Sequence, residues 1–220
     1  MNILHLIQEF DCLYQEQAPL RYATLQPGYA FAAVDELYAR LQVDALPEEY
    51  IALYRWKNGQ QDLRDGWVNE FEEDAWYESV PLDDGGHFVS IESAVMLAEM
   101  WREIKTEKDA AQQPCYWKEG FIPLLEEQAY GLVVVDTRGY FGGEVGQLVY
   151  FDYKCGDGYT VLHASIARWL ETAIALLERG VFFQAKSVKD VQACVKIQKA
   201  INGRYTRRFH HPLPLELSGV

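Results

Sequence analysis

The chain has little of what marks disulfide-bonded, metal-binding or membrane-spanning proteins. No Cys-x-x-Cys pair and no Cys/His cluster occurs, so neither a disulfide framework nor a zinc site is expected. The four cysteines are scattered along 220 residues, at Cys12, Cys115, Cys155 and Cys194. No apolar run approaches the ~20 residues that span a bilayer. The N-terminus lacks basic residues and turns polar too early for a signal peptide, so we expect a cytoplasmic protein without metal or cofactor.

Basic residues are also scarce, because 20 Lys and Arg stand against 33 Asp and Glu, for a net charge of −13. The charge is uneven. Residues 181–220 carry seven basic and two acidic residues, a net charge of +5, so the first 180 residues carry −18. An acidic body repels nucleic acid and anionic membranes and attracts basic partners. We therefore expect contact with neither nucleic acid nor membrane.

Apolar residues are plentiful: 49% of the chain is hydrophobic and 14% is aromatic. That composition is typical of a globular protein with a sizeable core. Hydrophobic periodicity predicts the following helices and strands. The helices are 1–17, 29–43, 47–57, 90–106, 164–178 and 187–202, and the strands are 121–125, 132–136, 147–153 and 159–162. Strands followed by a covering helix indicate an α+β fold.

Residues 46–59 form the most defined local pattern. Pro47 suits the first position of a helix, where its missing N–H has no intrahelical partner to lose. Glu48 and Glu49 follow in the first turn, where the helix dipole favours carboxylates. Asn58-Gly59 is predicted to supply left-handed residues that end the helix or make a tight turn.

This segment reads Leu-Pro-x-x-Tyr-x-x-Leu-Tyr-x-x-x-Asn-Gly and resembles the opening of the SUKH superfamily, which contains fungal cell-wall-synthesis regulators and bacterial immunity proteins. Segments 117–124, 131–136, 146–152 and 165–170 resemble later motifs of that group, in the same order. The likeness covers roughly residues 28–180. It implies an α+β domain over 1–180, with a mixed or largely antiparallel sheet flanked by helices. Residues 181–220 are expected to form a basic helical extension and tail packed on that domain.

The stretch from Asp62 to Asp84 is the sharpest candidate site. It holds nine acidic residues and one basic residue, with large aromatic residues interleaved. Aromatic side chains can anchor a protein interface while carboxylates steer and select a basic partner. The alternative is a solvated loop whose aromatic residues pack into the domain's own core. The candidate partner-binding residues are Asp62, Asp65, Trp67, Glu70, Phe71, Glu72, Glu73, Asp74, Trp76 and Tyr77.

Two Gly-rich segments admit a chemical interpretation, and in both an ordinary turn is favoured. Asp83-Asp84-Gly85-Gly86-His87 has ligand types that suit a cation, but no other ligand cluster is positioned by the sequence. Residues 139–146 lack the lysine of a phosphate loop and precede a strand rather than a helix.

Nucleophilic catalysis has little support in the sequence. Ser165 lies in Ala-Ser-Ile and not in a nucleophile elbow, and Cys115 has no implied histidine partner. His163 precedes a helix and is expected to be structural or capping. No catalytic residue is assigned.

The C-terminal segment 187–202 is predicted to be an amphipathic helix. Val188, Val191, Cys194, Val195 and Ile201 are expected on its inner side, with Lys189, Lys196 and Lys199 on the other. A membrane or nucleic-acid contact is possible for such a helix, but packing on the acidic domain is favoured. A mobile tail is expected to carry Arg204, Arg207, Arg208, His210 and His211.

The resemblance implies a non-enzymatic immunity protein, a monomer or homodimer, that binds and neutralises a cognate toxin or other basic protein. Two alternatives stay open. One is a regulatory scaffold of the cell-wall-regulator type, which would bind several endogenous proteins. The other is a small-molecule hydrolase, which a convergent cluster around His87 or His163 in a deep cleft would favour.

Overall fold

The computed structural model describes residues 2–61, 87–112, 117–127, 131–152, 158–180, 188–203 and 207–210. Within these ranges the chain forms seven α-helices and eight strands. The helices are α1 (Ile3–Gln17), α2 (Pro19–Tyr22), α3 (Val34–Leu41), α4 (Glu48–Trp56), α5 (Ile91–Ala110), α6 (Ile166–Glu178) and α7 (Val188–Asn202).

Strands fall into two antiparallel sheets. A small sheet pairs β1 (Leu25–Pro27) with β2 (Lys57–Gln60). A six-stranded sheet has the order β3-β4-β5-β6-β7-β8, so each strand pairs with its neighbour in the chain. Its strands are β3 (His87–Phe88), β4 (Phe121–Glu127), β5 (Gly131–Asp136), β6 (Gln147–Asp152), β7 (Gly158–His163) and β8 (Arg207–His210). The α+β prediction with a largely antiparallel sheet and a C-terminal helix is confirmed.

Three helices begin at a side chain that accepts a hydrogen bond from a free backbone N–H group. Asn2 caps α1 by accepting from Leu4 N at 3.0 Å. Ser90 caps α5 through Ser93 N at 3.1 Å. Ser165 caps α6 through Arg168 N at 3.3 Å.

The core lies between the six-stranded sheet and the helices packed against it. All six residues of β5 are buried, because both of its faces and both of its edges are covered. Helix α1 packs on α6 and α4, and its Phe10 ring lies 5.8 Å from Trp56 and 6.3 Å from Trp169. Helix α7 packs on α6, and β8 pairs with β7. Helices α1 and α7 thus both pack on α6.

Several local predictions need correction. Pro47 is the residue before α4 and not its first residue, with φ −55° and ψ 140°. The helix predicted over 29–43 begins at Val34 and ends at Leu41, and the next residue, Gln42, is left-handed. Of Asn58 and Gly59, only Gly59 has positive φ, and both lie in strand β2.

The predicted mobile tail is also wrong for Arg207, Arg208 and His210, because residues 207–210 form the edge strand β8. Arg204 and His211 lie outside the described residues.

In α7, Cys194 and Ile201 are partly buried against the core, as predicted, and the side chains of Val188 and Val191 are not described. Val195 is exposed, against the prediction, and Ile197 and Asn202 are buried.

Candidate functional site

All ten predicted partner-binding residues, from Asp62 to Tyr77, lie outside the described residues. The structure describes the residues on either side of the range 62–86. Gln60 ends strand β2 before this range, and Phe88 belongs to strand β3 after it. The backbone N–H of Phe88 donates to Gln60 Oε1 at 3.0 Å. Gln60 Nε2 in turn donates to Thr24 Oγ1 at 3.2 Å, so the Gln60 side chain links β3 to the residue before β1.

Asn58 joins this region to helix α5. Its Oδ1 accepts from Ile91 N at 2.9 Å, and its Nδ2 donates to Glu92 Oε2 at 3.1 Å. The first turn of α5 therefore has two caps, Ser90 from its own chain segment and Asn58 from β2.

The Gly59 backbone passes close to the residues that enter α5. It has φ +80°, and a Cβ there would lie 2.6 Å from the carbonyl carbon of Val89. Glycine is thus required for both conformation and space. The Asn58-Gly59 pair thus connects strand β2 to the start of helix α5.

His87 lies in β3 opposite Glu126 of β4 and is partly buried. The other residues of the Asp83–His87 segment lie outside the described residues. Among the residues that the structure does describe, no group of three or more His, Cys, Asp or Glu could hold a metal ion.

The segment after β5 is organised by the buried carboxylate of Asp136. Its oxygens accept hydrogen bonds from the backbone N–H groups of Arg138, Gly139 and Tyr140, at 2.9, 3.0 and 2.7 Å. Gln147 Nε2 donates to the same carboxylate at 2.8 Å. Burial raises the pKa of Asp136, while these four hydrogen bonds act in the opposite direction. Residues 139–146 therefore form a hydrogen-bonded turn, as predicted, with a 3₁₀ helix at Tyr140–Gly142.

Lys118 lies beside this turn, and its pKa is lowered. Its Nζ lies 5.0 Å from the ring centre of Tyr140 and 5.9 Å from that of Tyr159. Burial lowers the pKa of Lys118, and the charge of Asp136 opposes this shift. The aromatic faces supply the favourable cation–π contact that a half-buried ammonium needs.

His163 ends β7 and is 1% exposed. Its Nδ1 lies 3.1 Å from Asn202 Oδ1 on α7. Asn202 Nδ2 donates to Thr172 Oγ1 on α6 at 3.1 Å. Burial lowers the pKa of His163 to about 4, so the ring is neutral at pH 7. The prediction of a structural residue fits this position, because the ring is buried and bonded to other elements of the fold.

The remaining candidate nucleophiles have other roles or positions. Ser165 Oγ is occupied as the cap of α6. Cys12 is exposed and Cys194 is partly buried, both as free thiols. Cys115 and Cys155 lie outside the described residues. In α7, Lys196 and Lys199 are exposed, as predicted, and nothing is described of the Lys189 side chain.

Three of these features were missed from the sequence: the Asn58 cap, the Gln60 bridge and the Asn202 link. Asn58 and Gln60 lie about 30 residues from their partners Ile91 and Phe88, and Asn202 is 39 residues from His163. A polar residue within an apolar pattern is the one sequence signal that could have indicated such a buried link. Asn202, which follows Ile201, is an example.

Comparison with protein families gives one clear result. The model of the SMI1 / KNR4 family (SUKH-1) matches residues 31–172, well over half the chain. The suspected SUKH resemblance is thereby confirmed. Helix α1 precedes the matched range and α7 and β8 follow it. A comparison with curated proteins found no match. Across the described part of the chain, none of the helices has the length and apolar character needed to cross a membrane.

Proposed function

The chain belongs to the SMI1 / KNR4 family (SUKH-1), and we propose that it is a non-enzymatic protein-binding module that acts as a bacterial immunity protein. It would bind a cognate toxin in the producing cell or its siblings and neutralise it. The family match over residues 31–172 is the observation that carries this proposal.

The contacts of the buried polar groups support a binding role over a catalytic one. Asp136 accepts four hydrogen bonds from its own turn and from Gln147. His163 is buried and bonded to Asn202. A general acid or base has to reach a substrate proton, and these two groups are committed to the fold. Among the described residues, the hydrogen-bond contacts of His163 are therefore structural and do not form the convergent cluster that would favour a hydrolase.

Charge supports a basic partner. The net charge of −13 favours fast encounter with a cationic protein, such as a nuclease toxin. The stretch from Asp62 to Asp84, the acidic-aromatic segment, is our proposed recognition surface. The described residues that flank it, Gln60 and Phe88, are hydrogen-bonded to each other. We propose no contact with membrane or nucleic acid.

A regulatory scaffold of the cell-wall-regulator type is the second candidate, because the same family match supports it. The two functions differ in their partners. An immunity protein has one tight partner with toxin activity, whereas a scaffold binds several endogenous proteins. We also propose that residues 1–180 and 181–220 form a single domain, as a monomer or homodimer in a cytoplasmic setting.

Affinity capture from the native cells, at low and at high salt, tests the proposal. We expect one basic partner that carries a secreted toxin domain and is retained better at low salt, because salt screens exposed charges. Several abundant cellular proteins would favour the scaffold. Capture of no protein at either salt concentration would contradict a protein-binding role.

A further inference from the structure

The solvent-facing side of α5 carries two exposed methionines. Met96 is 60% exposed and Met100 is 42% exposed, and the two lie one helical turn apart. The inner side of the helix is formed by other residues, namely Ile91, Ala94, Val95, Leu97 and Ala98. The methionines therefore lie outside the apolar side that packs on the domain.

Acidic residues, a serine and the last alanine of the helix share this side with the methionines. At about 100° per residue, an arc of about 60° on either side of Met96 includes no Lys or Arg. Its members in α5 are Glu92, Ser93, Met96, Glu99, Met100, Glu103, Glu107 and Ala110. We call Glu92, Met96, Met100, Glu103 and Glu107 the methionine face of α5. All five are exposed.

The nearest bases lie at the margin of this face. Arg40 of α3 forms a two-pronged ion pair with Glu99, with Nε–Oε1 and Nη2–Oε2 distances of 2.9 Å. This pair neutralises Glu99 at the boundary, and Arg102 donates to the carbonyl of Arg40. Glu103 and Glu107 are exposed on the same side of the helix as Met100.

The face begins where the acidic-aromatic segment ends in the chain. Glu92 accepts a hydrogen bond from Asn58, which lies two residues before Gln60. The methionine face thus begins beside Asn58, close to the described residues that flank the segment.

We propose that the methionine face of α5 is a docking surface for a basic amphipathic helix of the partner protein. This inference rests on the proposed protein-binding function and extends its recognition surface to described residues. The spacing 92, 96, 100, 103, 107 follows one side of a helix, which fits a second helix laid along it. The flexible thioethers of Met96 and Met100 receive apolar side chains of the incoming helix. Glu92, Glu103 and Glu107 pair with its flanking Lys or Arg.

The chain offers a direct probe, because its three methionines are Met1, Met96 and Met100. The protein is labelled with ¹³C at the methionine methyl groups. It is titrated with a helical peptide of about 18 residues, built from Leu and Lys with Leu at helical spacing. A scrambled peptide of the same composition is the control, since it keeps the charge and loses the apolar side.

We expect the Met96 and Met100 methyl signals to shift with the amphipathic peptide while the Met1 signal does not. The affinity should be at least about fivefold tighter than for the scrambled peptide, as for a genuine apolar anchor. Replacing Glu103→Lys with Glu107→Lys should weaken binding by a similar factor. The charge-matched control, Glu16→Lys with Glu144→Lys, changes two exposed carboxylates elsewhere on the protein. It should leave the affinity for the amphipathic peptide within about twofold of wild type, because these sites are independent of the methionine face.

Three results would overturn the inference. One is equal binding of both peptides, and another is a shift of Met1 with no shift of Met96 or Met100. The third is protection of the Met96 and Met100 methyls from a soluble paramagnetic agent in the free protein, since this chain would then cover the face itself.

Affinity capture with a Met96→Ala and Met100→Ala double variant separates this inference from the proposed function. Undiminished capture of the toxin would contradict the docking surface and leave the function standing. Loss of capture, with Leu4→Ala behaving as wild type, would support both, because Leu4 is 57% exposed on α1 and matches Met96 in exposure.

Discussion

Asn58 on β2 accepts a hydrogen bond at Oδ1 from the backbone N–H of Ile91, at 2.9 Å across 33 residues. This contact gives the Asn-Gly pair of the family-like motif a physical role. The asparagine caps the helix that carries the methionine face, and the glycine lets the two backbones approach. Along the chain, the acidic-aromatic segment begins a few residues after Asn58 and ends a few residues before Ile91.

Replacing Asn58→Ala should lower the free energy of unfolding by about 1–2 kcal/mol, because a helix cap and a partly buried hydrogen bond are lost. Urea unfolding measures the change. Glu92→Ala is the companion variant, because it removes only the exposed bond to Asn58 Nδ2 and should cost less than about 0.5 kcal/mol. Equal losses in the two variants would show that the cap on Ile91 contributes little.

Replacing Gly59→Ala should cost about 2–5 kcal/mol, since a left-handed φ of +80° and a backbone clash with Val89 act together. Gly142→Ala is the matched control. Its φ is +66°, but a Cβ there has no neighbour within 4 Å, so only conformational strain of about 1–2 kcal/mol applies. Thermal or urea unfolding of both variants measures the difference. If Gly142→Ala were the more damaging change, close packing at Gly59 would not be the reason for its glycine.

Acid should destabilise the protein through His163. Its pKa is about 4 in the folded state, against an ordinary value of 6.5. Between these two pH values the histidine is protonated in the unfolded chain and neutral in the folded chain. The associated stability is fully present above pH 6.5 and is lost as the pH falls toward 4. The loss amounts to about 3 kcal/mol over that interval.

Urea unfolding between pH 7.5 and 4.5 tests this, with His163→Asn as the control. The asparagine side chain can still donate to Asn202 and does not titrate. Stability of this variant should fall less steeply with acid than that of the wild type. Parallel curves for the two proteins would assign the acid sensitivity to other groups.

Asn202 should be essential for holding α7 on the domain. Asn202→Ala leaves the His163 ring without its buried partner and removes the amide that donates to Thr172 Oγ1, at a cost of about 2–3 kcal/mol. Lys199→Ala, an exposed change on the same helix, should stay within about 0.5 kcal/mol of wild type. If residues 181–220 belong to the same unit as 1–180, unfolding of both variants follows a single transition. Two separate transitions would contradict that proposal.

The long elements could be predicted from the sequence because each shows clear periodicity or a cap. Helix α5 follows Ser90 and α6 follows Ser165, and the run Gly131–Asp136 is apolar on both sides, as a central strand requires. The acidic-aromatic segment was also evident, but the structure places none of its candidate residues.

The elements that escaped prediction are short or atypical. Strands β1, β2 and β3 have three, four and two residues, too few for an alternating pattern. Strand β8 contains Arg207 and Arg208, and their charge favoured the prediction of a tail. Charged residues are nevertheless common on edge strands. The methionine face went unpredicted because Met96 and Met100 read as part of an apolar helix until the packed side of α5 is known.

Growth rescue tests the central claim most directly. The captured basic partner is expressed alone, with this protein, and with a variant in which the acidic residues between Asp62 and Asp74 are replaced by their amides. We predict that the partner alone arrests growth, that the wild-type protein restores it, and that the variant restores it poorly at equal expression. A partner that does not affect growth, or full rescue by the variant, would contradict neutralisation of a toxin through this acidic surface.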